Sequence, residues 1–406
     1  MPLSKKQIEF IQEANHRWNF KGGATRSGKT YLDFRWVIPM RIRERIGLDG
    51  LVVLLGVTKS TIERNVLEPM RSIYGENLVG SISSDNTVKL FGEKCYALGA
   101  EKISQVSKIR GVSIKYAYGD ETADWSQDVF ELLKSRLDKE YSCFDGTFNP
   151  QNPNHWLKKF LNSDVDVFSQ TYTIDDNPFL PDSVRQEIKR EYIGTVFYDR
   201  YILGKWVAAE GLVYPMFSKD MHVLADVPET EGDYYVSSDY GIQNPNVFLL
   251  WRKEKGTKRW ICLKEDYYSG RGEKRQLTDS QLVDRLDAMT DGIHVKRVII
   301  DPSSASMKAE LRRRGYHTQD ADNTVLDGIS DVCSMLGSDN IAVMACCEKT
   351  IEEFGTYLWD SKAADRGEDE PLKDNDHAMD AVRYFVKTMK LVNKANKRQQ
   401  SQVIWG

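Results

Sequence analysis

The chain has no apolar run approaching the ~20 residues that cross a bilayer, and Met1-Pro-Leu-Ser-Lys-Lys6 lacks the apolar core of a signal peptide. These absences predict a protein that neither spans a membrane nor is exported. Cysteine is sparse: six residues in 406, scattered, with no C-x-x-C pair. That spacing predicts reduced thiols in a cytosol and gives no framework for zinc. Charge is nearly balanced at −4, so a nucleic-acid surface would have to be a local basic patch. No internal repeat or low-complexity tract precedes the polar C-terminus. What remains, 41% hydrophobic and 29% charged over a length that suits two domains, is the composition of a soluble globular protein, and the strands and helices read below make it α/β.

The chain is organised around Gly23, Ala24, Thr25, Arg26, Ser27, Gly28, Lys29 and Thr30, which spell G-x-x-x-x-G-K-[ST]. Glycines let the backbone curl so that its N–H groups face phosphate oxygens, and a following helix directs its positive end there. Lys29 is expected on the β- and γ-phosphates of ATP and Thr30 on Mg²⁺. An ordinary Gly-rich turn can carry the same letters, so context decides. Trp18–Lys21 leaves room for only a short strand before the loop. Tyr31–Ile38 reads as a buried helix that Pro39 should kink or end.

Leu51–Val57 reads as a strand buried on both faces, hence part of a parallel sheet. Ser60-Thr-Ile-Glu63 reads as a capping box opening a helix toward Tyr74. Thr87–Phe91 and Lys94–Leu98 suggest an antiparallel appendage. Ile114–Glu121 is an apolar strand ending in two acids. Asp120 is expected to hold the Mg²⁺ water shell, and Glu121 to orient and deprotonate the attacking water. Thr147 and Asn149, at the end of the strand from Cys143, suit a γ-phosphate sensor, although an Asn-Pro turn would look alike. Gln7 either reads an adenine edge or lies on the surface.

Gly23–Thr30, Gly-Asp-Glu at 119–121 and Gly146-Thr-Phe-Asn-Pro-Gln-Asn-Pro-Asn-His-Trp156 together resemble the large subunit of phage terminases. The resemblance implies an ATP-driven motor that packages double-stranded DNA into procapsids, joined to an RNase H-like nuclease. The second half carries the matching pattern. Three strands, near 233–241, 246–252 and 260–268, precede a helix at 278–289, a strand at 297–302 and a closing helix that opens near Asp374. Asp239 ends the first strand, Asp301 the fourth, and Asp380 lies on the last helix with Asp376 at i−4 and His377 at i−3. Hard divalent cations, Mg²⁺ or Mn²⁺, prefer such oxygen ligands. Singly, each acid can instead end a strand or cap a helix. Ser-Ser-Asp239-Tyr-Gly and Asp376-His-Ala-Met-Asp380-Ala-Val-Arg-Tyr384 resemble the family's nuclease motifs.

The expected organisation is a P-loop ATPase domain at 1–174, a helical linker at 175–215, an RNase H-like nuclease domain at 216–393 and a polar tail at 394–406. The catalytic arginine is expected to be Arg26 in cis or Arg136 in trans. Arg271–Arg275 and Arg312–Arg314 either track DNA or are solvated surface. The resemblance further implies the terminase small subunit and the portal as partners. It implies a homo-oligomeric ring when docked on the procapsid, a monomer when free, and a place in the host cytoplasm rather than the mature virion. A helicase-like or DNA-repair ATPase with a noncatalytic DNA-binding second domain is the alternative.

Overall fold

The computed structural model describes residues 3–241, 245–270 and 272–391. The tail expected at 394–406 and Arg271 of the first basic cluster lie outside them. Two compact units emerge. The first runs to Arg185 and adds Asp199–Ala208 and Arg366–Glu368; the second takes Gln186–Tyr198, Ala209–Asp365 and the described residues from Asp369. The segment at 175–215 is thus divided between both.

The first unit is built on seven strands: β1 (Trp18–Gly23), β2 (Leu51–Gly56), β3 (Thr87–Leu90), β4 (Glu93–Gly99), β5 (Ile114–Gly119), β6 (Cys143–Phe148) and β7 (Val167–Tyr172). Their order is β3-β4-β2-β5-β6-β1-β7. All neighbours are parallel except β3 and β4. The expected appendage is therefore the sheet's own margin, because β4 pairs in parallel with β2 from Val52 to Gly56. Strands β1, β5 and β6 are buried along their whole length. Apolar side chains cover both faces: Trp18, Phe20, Phe130 and Phe144 on one, Ile38, Leu54, Ile62 and Tyr118 on the other.

Two helices depart from their sequence expectation in the same way. The helical run from Lys29 continues through Pro39 to Glu44, with a wide π-type turn at Asp33–Val37 just ahead of the proline. Proline deprives the carbonyl four residues earlier of its donor; here that carbonyl, Arg35, accepts from the Tyr74 hydroxyl instead. A second π-type turn, Glu63–Leu67, precedes Pro69 in the run from Lys59 to Tyr74. That run is capped earlier in the sequence than expected. Thr58, extended after β2, accepts the Thr61 N–H and takes the cap position from Ser60. Trp36 is 49% exposed, so the first helix is not buried all round.

The second unit carries β8 (Val223–Leu224), β9 (Thr230–Asp239), β10 (Asn246–Glu254), β11 (Trp260–Tyr268), β12 (Val295–Ile300), β13 (Thr318–Asp320) and β14 (Ile341–Met344). The order is β13-β12-β9-β10-β11-β14-β8. Strands β9, β10 and β11 form an antiparallel meander; β12 joins β9 in parallel and β13 joins β12 in parallel. This is an RNase H-like mixed sheet. The closing helix His377–Thr388 lies on it, with Phe385 stacked on Trp251 of β10 at 4.5 Å between ring centroids. Among the described residues no helix is long and apolar enough to cross a membrane.

Candidate functional sites

Parallel register brings the first site together. Leu55 pairs with Gly119, Gly119 with Gly146, Gly22 with Phe148 and Gly23 with Tyr172. The residues just beyond these pairs therefore share one carboxyl edge. Because β6 lies between β1 and β5, Thr147 and Asn149 stand between the Gly-rich loop and the acids.

The loop is clamped from outside. Gly23 has φ +127°, and a Cβ there would meet the Tyr172 carbonyl at 2.0 Å, so only glycine fits. The N–H of Ala24 bonds to the Tyr172 carbonyl (2.7 Å) and that of Thr25 to the Tyr201 carbonyl (3.0 Å). Asn177 Nδ2 donates to the Arg26 carbonyl at 2.8 Å. Gln7 Nε2 donates to the Gly28 carbonyl at 3.0 Å while its Oε1 accepts the Ser4 N–H. Gln7 is 4% exposed, so it is not a surface glutamine, and its amide braces the loop. Ser27 Oγ turns back to the Ala24 carbonyl at 2.8 Å. Thr30 stands in the first turn of the helix beside Lys29.

Lys29 is buried. Its Nζ donates to the carbonyls of Gly23 (2.9 Å) and Ala24 (2.5 Å) and to Asn149 Oδ1 (3.1 Å). Burial lowers its pKa to about 7, against the pull of Asp120 and Glu121. Across the edge, Thr147 Oγ1 donates to Asp120 Oδ1 at 2.9 Å and accepts the Glu121 N–H at 3.3 Å. Asn65 Nδ2 holds the other Asp120 oxygen at 3.0 Å. Burial raises the Asp120 pKa even so. Glu121 sits at φ +54°, ψ +48°, a left-handed conformation uncommon for glutamate and one found where a side chain is aimed for function.

The helix after the loop is pinned to the sheet by two buried ion pairs, Asp33 with Lys21 (2.7 Å) and Arg41 with Asp145 (3.0 Å). Burial lifts the Asp33 carboxyl to about 7, the Lys21 charge notwithstanding. Arg136 is not brought to this site. Its carbonyl accepts the N–H of Ile114, the first residue of β5, whereas Asp120 follows the last. One strand length, about 20 Å, separates those edges. Sequence reasoning missed Asn65, Asn177 and Tyr201. A π-type turn and two loop contacts leave no periodic signature.

A second constellation lies in the other unit. Ser238 of β9 pairs with Ile300 of β12, so Asp239 and Asp301 leave the same sheet edge side by side. Asp239 Oδ2 meets His377 Nδ1 at 2.9 Å. Burial raises the Asp239 pKa, and the like charges of Asp380 and Asp376 add to the rise against the His377 bond. Burial would lower that of His377, but the hydrogen bond and charge of Asp239 prevail and raise it. Burial also acts on Asp301, yet bonds from Ser303, Asn323 and Tyr384 keep its pKa below the ordinary value. Ser303 donates from N (2.8 Å) and Oγ (2.6 Å), Asn323 Nδ2 at 3.1 Å and the Tyr384 hydroxyl at 3.3 Å.

Asp380 Oδ1 accepts from Arg383 at 2.7 Å, and Lys373 Nζ stands 3.2 Å from Asp376 and 3.5 Å from Asp380. Glu353, also missed, is buried beneath this helix. One of its oxygens accepts the N–H groups of Ala378 and Met379, the other the Tyr267 hydroxyl. The Tyr384 hydroxyl donates to Asp301, and its phenol is held well above its usual pKa by burial and by the charges of Asp380, Asp239 and Asp301.

Among the described residues no three His, Cys, Asp or Glu side chains are gathered tightly enough to enclose a metal ion. The protein's own donors engage them instead: His377 on Asp239, Arg383 and Lys373 on Asp380. In chemical type, the carboxylates of Asp239 and Asp301 at one sheet edge and of Asp380 on the closing helix suit a hard divalent cation. The Arg312–Arg314 cluster is largely engaged within the protein. Arg313 pairs with Glu310 at 2.5 Å, and Arg314 with Asp284 (2.5 Å) and Asp287 (2.9 Å).

The family described as terminase large subunit, T4likevirus-type, N-terminal, matches residues 22–219. The terminase large subunit of Escherichia phage T5 is 22% identical over 400 residues, spanning 93% of this chain and 88% of that protein. The large terminase of a thermophilic bacteriophage superimposes with a TM-score of 0.88 at 35% identity, covering 96% of this chain and 100% of that one. The same thermophilic phage protein in complex with ATP-γ-S gives 0.84 at 33%, covering 95% and 98%. Over nearly its whole length, therefore, this chain belongs to the phage large terminase family.

Proposed function

We propose that the carboxyl edge of the first sheet hydrolyses ATP to drive double-stranded DNA into a procapsid, and that the acid edge of the second cuts that DNA. A large terminase is an enzyme of phage DNA packaging, an ATPase joined to an endonuclease. The observation that carries the residue assignment is the single edge on which Lys29, Asn149, Thr147, Asp120 and Glu121 meet. The clamped loop from Gly23 to Thr30 cradles the phosphates of ATP. Lys29 exchanges its two loop carbonyls for phosphate oxygens as they arrive. Thr30 and Asp120 would hold Mg²⁺, which supplies charge neutralisation at the phosphates. Glu121 orients a water and takes its proton. Asn149 and Thr147, touching Lys29 on one side and both acids on the other, register the loss of the γ-phosphate. Arg26 lies within the loop as a cis cation. Arg136, at the far edge, would act only in a neighbouring subunit's site.

In the second unit Asp239, Asp301 and Asp380 would hold Mg²⁺ or Mn²⁺, with Asp376 and His377 beside them. Such ions supply an activated water and a stabilised leaving oxygen. His377 orients the Asp239 carboxylate, and Tyr384 and Asn323 orient that of Asp301. The domain reading keeps residues 1–174 as motor and 216–393 as nuclease. Small subunit, portal and a docked homo-oligomeric ring in the host cytoplasm complete the proposal.

Plasmid cleavage in Mn²⁺ or Mg²⁺ by wild type and Asp301→Ala, with ATPase measured in parallel, tests it. Cleavage lost with ATPase retained is expected. Equal cleavage by both would remove Asp301 from the nuclease.

A further inference from the structure

On the ATPase reading above, Arg26 stands on the loop side of the first site, and the charge on the transferring group also needs an answer from the side of the acids. Water attacks the γ-phosphorus, the bond to the β–γ bridging oxygen breaks, ADP leaves, and Glu121 receives the proton. The negative charge spread over the transferring oxygens calls for a cation that adds N–H donors without moving electrons, the part an arginine plays. Arg136 stands at the wrong edge of the sheet for its own site.

A different arginine stands beside the acids. Strand β2 is the direct neighbour of β5, so the helical run that follows β2 opens next to Asp120. Its π-type turn, Glu63–Leu67, carries Arg64 and Asn65. Wide turns of this kind recur at functional sites. Asn65 works in two directions: Nδ2 donates to Asp120 Oδ2 at 3.0 Å, and Oδ1 accepts from Arg64 Nε at 3.1 Å. Arg64 is thereby tethered two hydrogen bonds from the Mg²⁺-side carboxylate. Its charge is one of those that pull the Asp120 pKa down against burial. The neighbouring acid does not neutralise it, because Glu63 is taken by Arg71 at 2.6 Å. Arg64 is exposed at the sheet edge, and among the described residues no hydrogen bond or ion pair engages its two terminal amino groups. A tethered guanidinium with its fork open, beside the acids that manage the attacking water, is placed to receive a phosphoryl group.

We propose that Arg64 neutralises the transferring γ-phosphate in cis from the side of the acids, in addition to Arg26 in the loop, with Asn65 as the positioning residue that joins it to Asp120.

The test uses the full chain with Arg64→Ala, Arg64→Lys and Lys29→Ala. Three quantities are read: steady-state ATPase, calorimetric binding of Mg-ADP, and the tightening of Mg-ADP binding by aluminium fluoride, which imitates the transferring group. Both Arg64 variants are expected to lose about 10³-fold in kcat, to keep KM and Mg-ADP affinity within about twofold, and to lose the fluoride-dependent tightening. A merely structural role would not separate ADP binding from fluoride binding. If Lys29→Ala still binds and hydrolyses ATP, the ATPase reading itself is wrong. If Lys29→Ala fails while Arg64→Ala keeps kcat and the fluoride effect, the Arg64 assignment alone is overturned. Equal loss of ADP and fluoride binding overturns it too, since Arg64 would then hold the ground state. Recovery of ATPase on mixing Arg64→Ala with Lys29→Ala would place Arg64 in a neighbour's site and overturn the cis role.

Discussion

Thr147 and Asp120 are joined by a hydrogen bond of 2.9 Å, and the same hydroxyl accepts the N–H of Glu121 at 3.3 Å. One oxygen thus sets both the carboxylate on the Mg²⁺ side and the backbone of the residue proposed to activate water. Thr147→Val keeps the shape and removes the oxygen. Steady-state ATPase should show kcat down about 10- to 100-fold, the usual loss for an outer-shell partner, with KM little changed. Thr147→Ser should restore most of it. A Val variant as fast as wild type would mean that Asn65 alone suffices to hold Asp120.

Asp301 presents a parallel case in the second unit. Asn323 and Tyr384 both donate to its Oδ2, while the Asn323 carbonyl accepts from Arg383, which also grips Asp380. Two acids from different elements are therefore tied through one asparagine. Asn323→Ala should weaken Mn²⁺-dependent plasmid cleavage by about 10- to 100-fold and raise the Mn²⁺ needed for half-maximal rate, with ATPase untouched. Gly328→Ala should act in the same direction at longer range, because its Cβ would meet Arg383 Cγ at 2.5 Å.

Both sheets and the placement of the main acids were legible in the sequence because they follow from short-range rules. An apolar run such as 51–57 has to be a buried strand, and acids or a Gly-rich turn at strand ends have to meet once the strands are parallel. What was not legible depends on contacts between segments distant in sequence. Pro39 reads locally as a stop, yet Tyr74, remote in the chain, supplies the donor its helix lacks. Ser60 looks like a cap until the extended Thr58 takes the position. Asn65 and Asn323 carry no motif, since an amide that bonds a distant carboxylate is spelled like any surface asparagine. Gln7 reads equally as an adenine reader or a surface residue, and its burial, with its amide on the Gly28 carbonyl, removes the second of these.

The arginine triplet gives a prediction of no effect. Arg313 and Arg314 are held by Glu310, Asp284 and Asp287, so their charges are answered before DNA arrives. Each phosphate contact that is lost lowers the slope of log affinity against log salt by about 0.9. Arg313→Ala with Arg314→Ala should leave that slope unchanged in a DNA-binding titration. A fall of about one or two would show that these arginines leave their carboxylates for the backbone.

Glu353 sets two forces against each other. The N–H groups of Ala378 and Met379 at the start of the closing helix, with the Tyr267 hydroxyl, favour its anion. Burial favours its acid and prevails, raising the pKa from 4.5 to about 7. The sign follows from proton counting: between those values the folded chain binds more protons at this site than the unfolded chain does. The stabilising contribution is therefore whole below about pH 4.5 and is lost as pH rises through about 7, up to roughly 3 kcal/mol in all. Glu353→Gln keeps an oxygen for the helix and cannot ionise. Its Tm should stand lowest relative to wild type at pH 5 and gain on it by pH 8, when the wild type must carry a buried charge. The reverse trend, wild type gaining with pH, would show that the helix terminus outweighs burial and that Glu353 is an ordinary anionic cap.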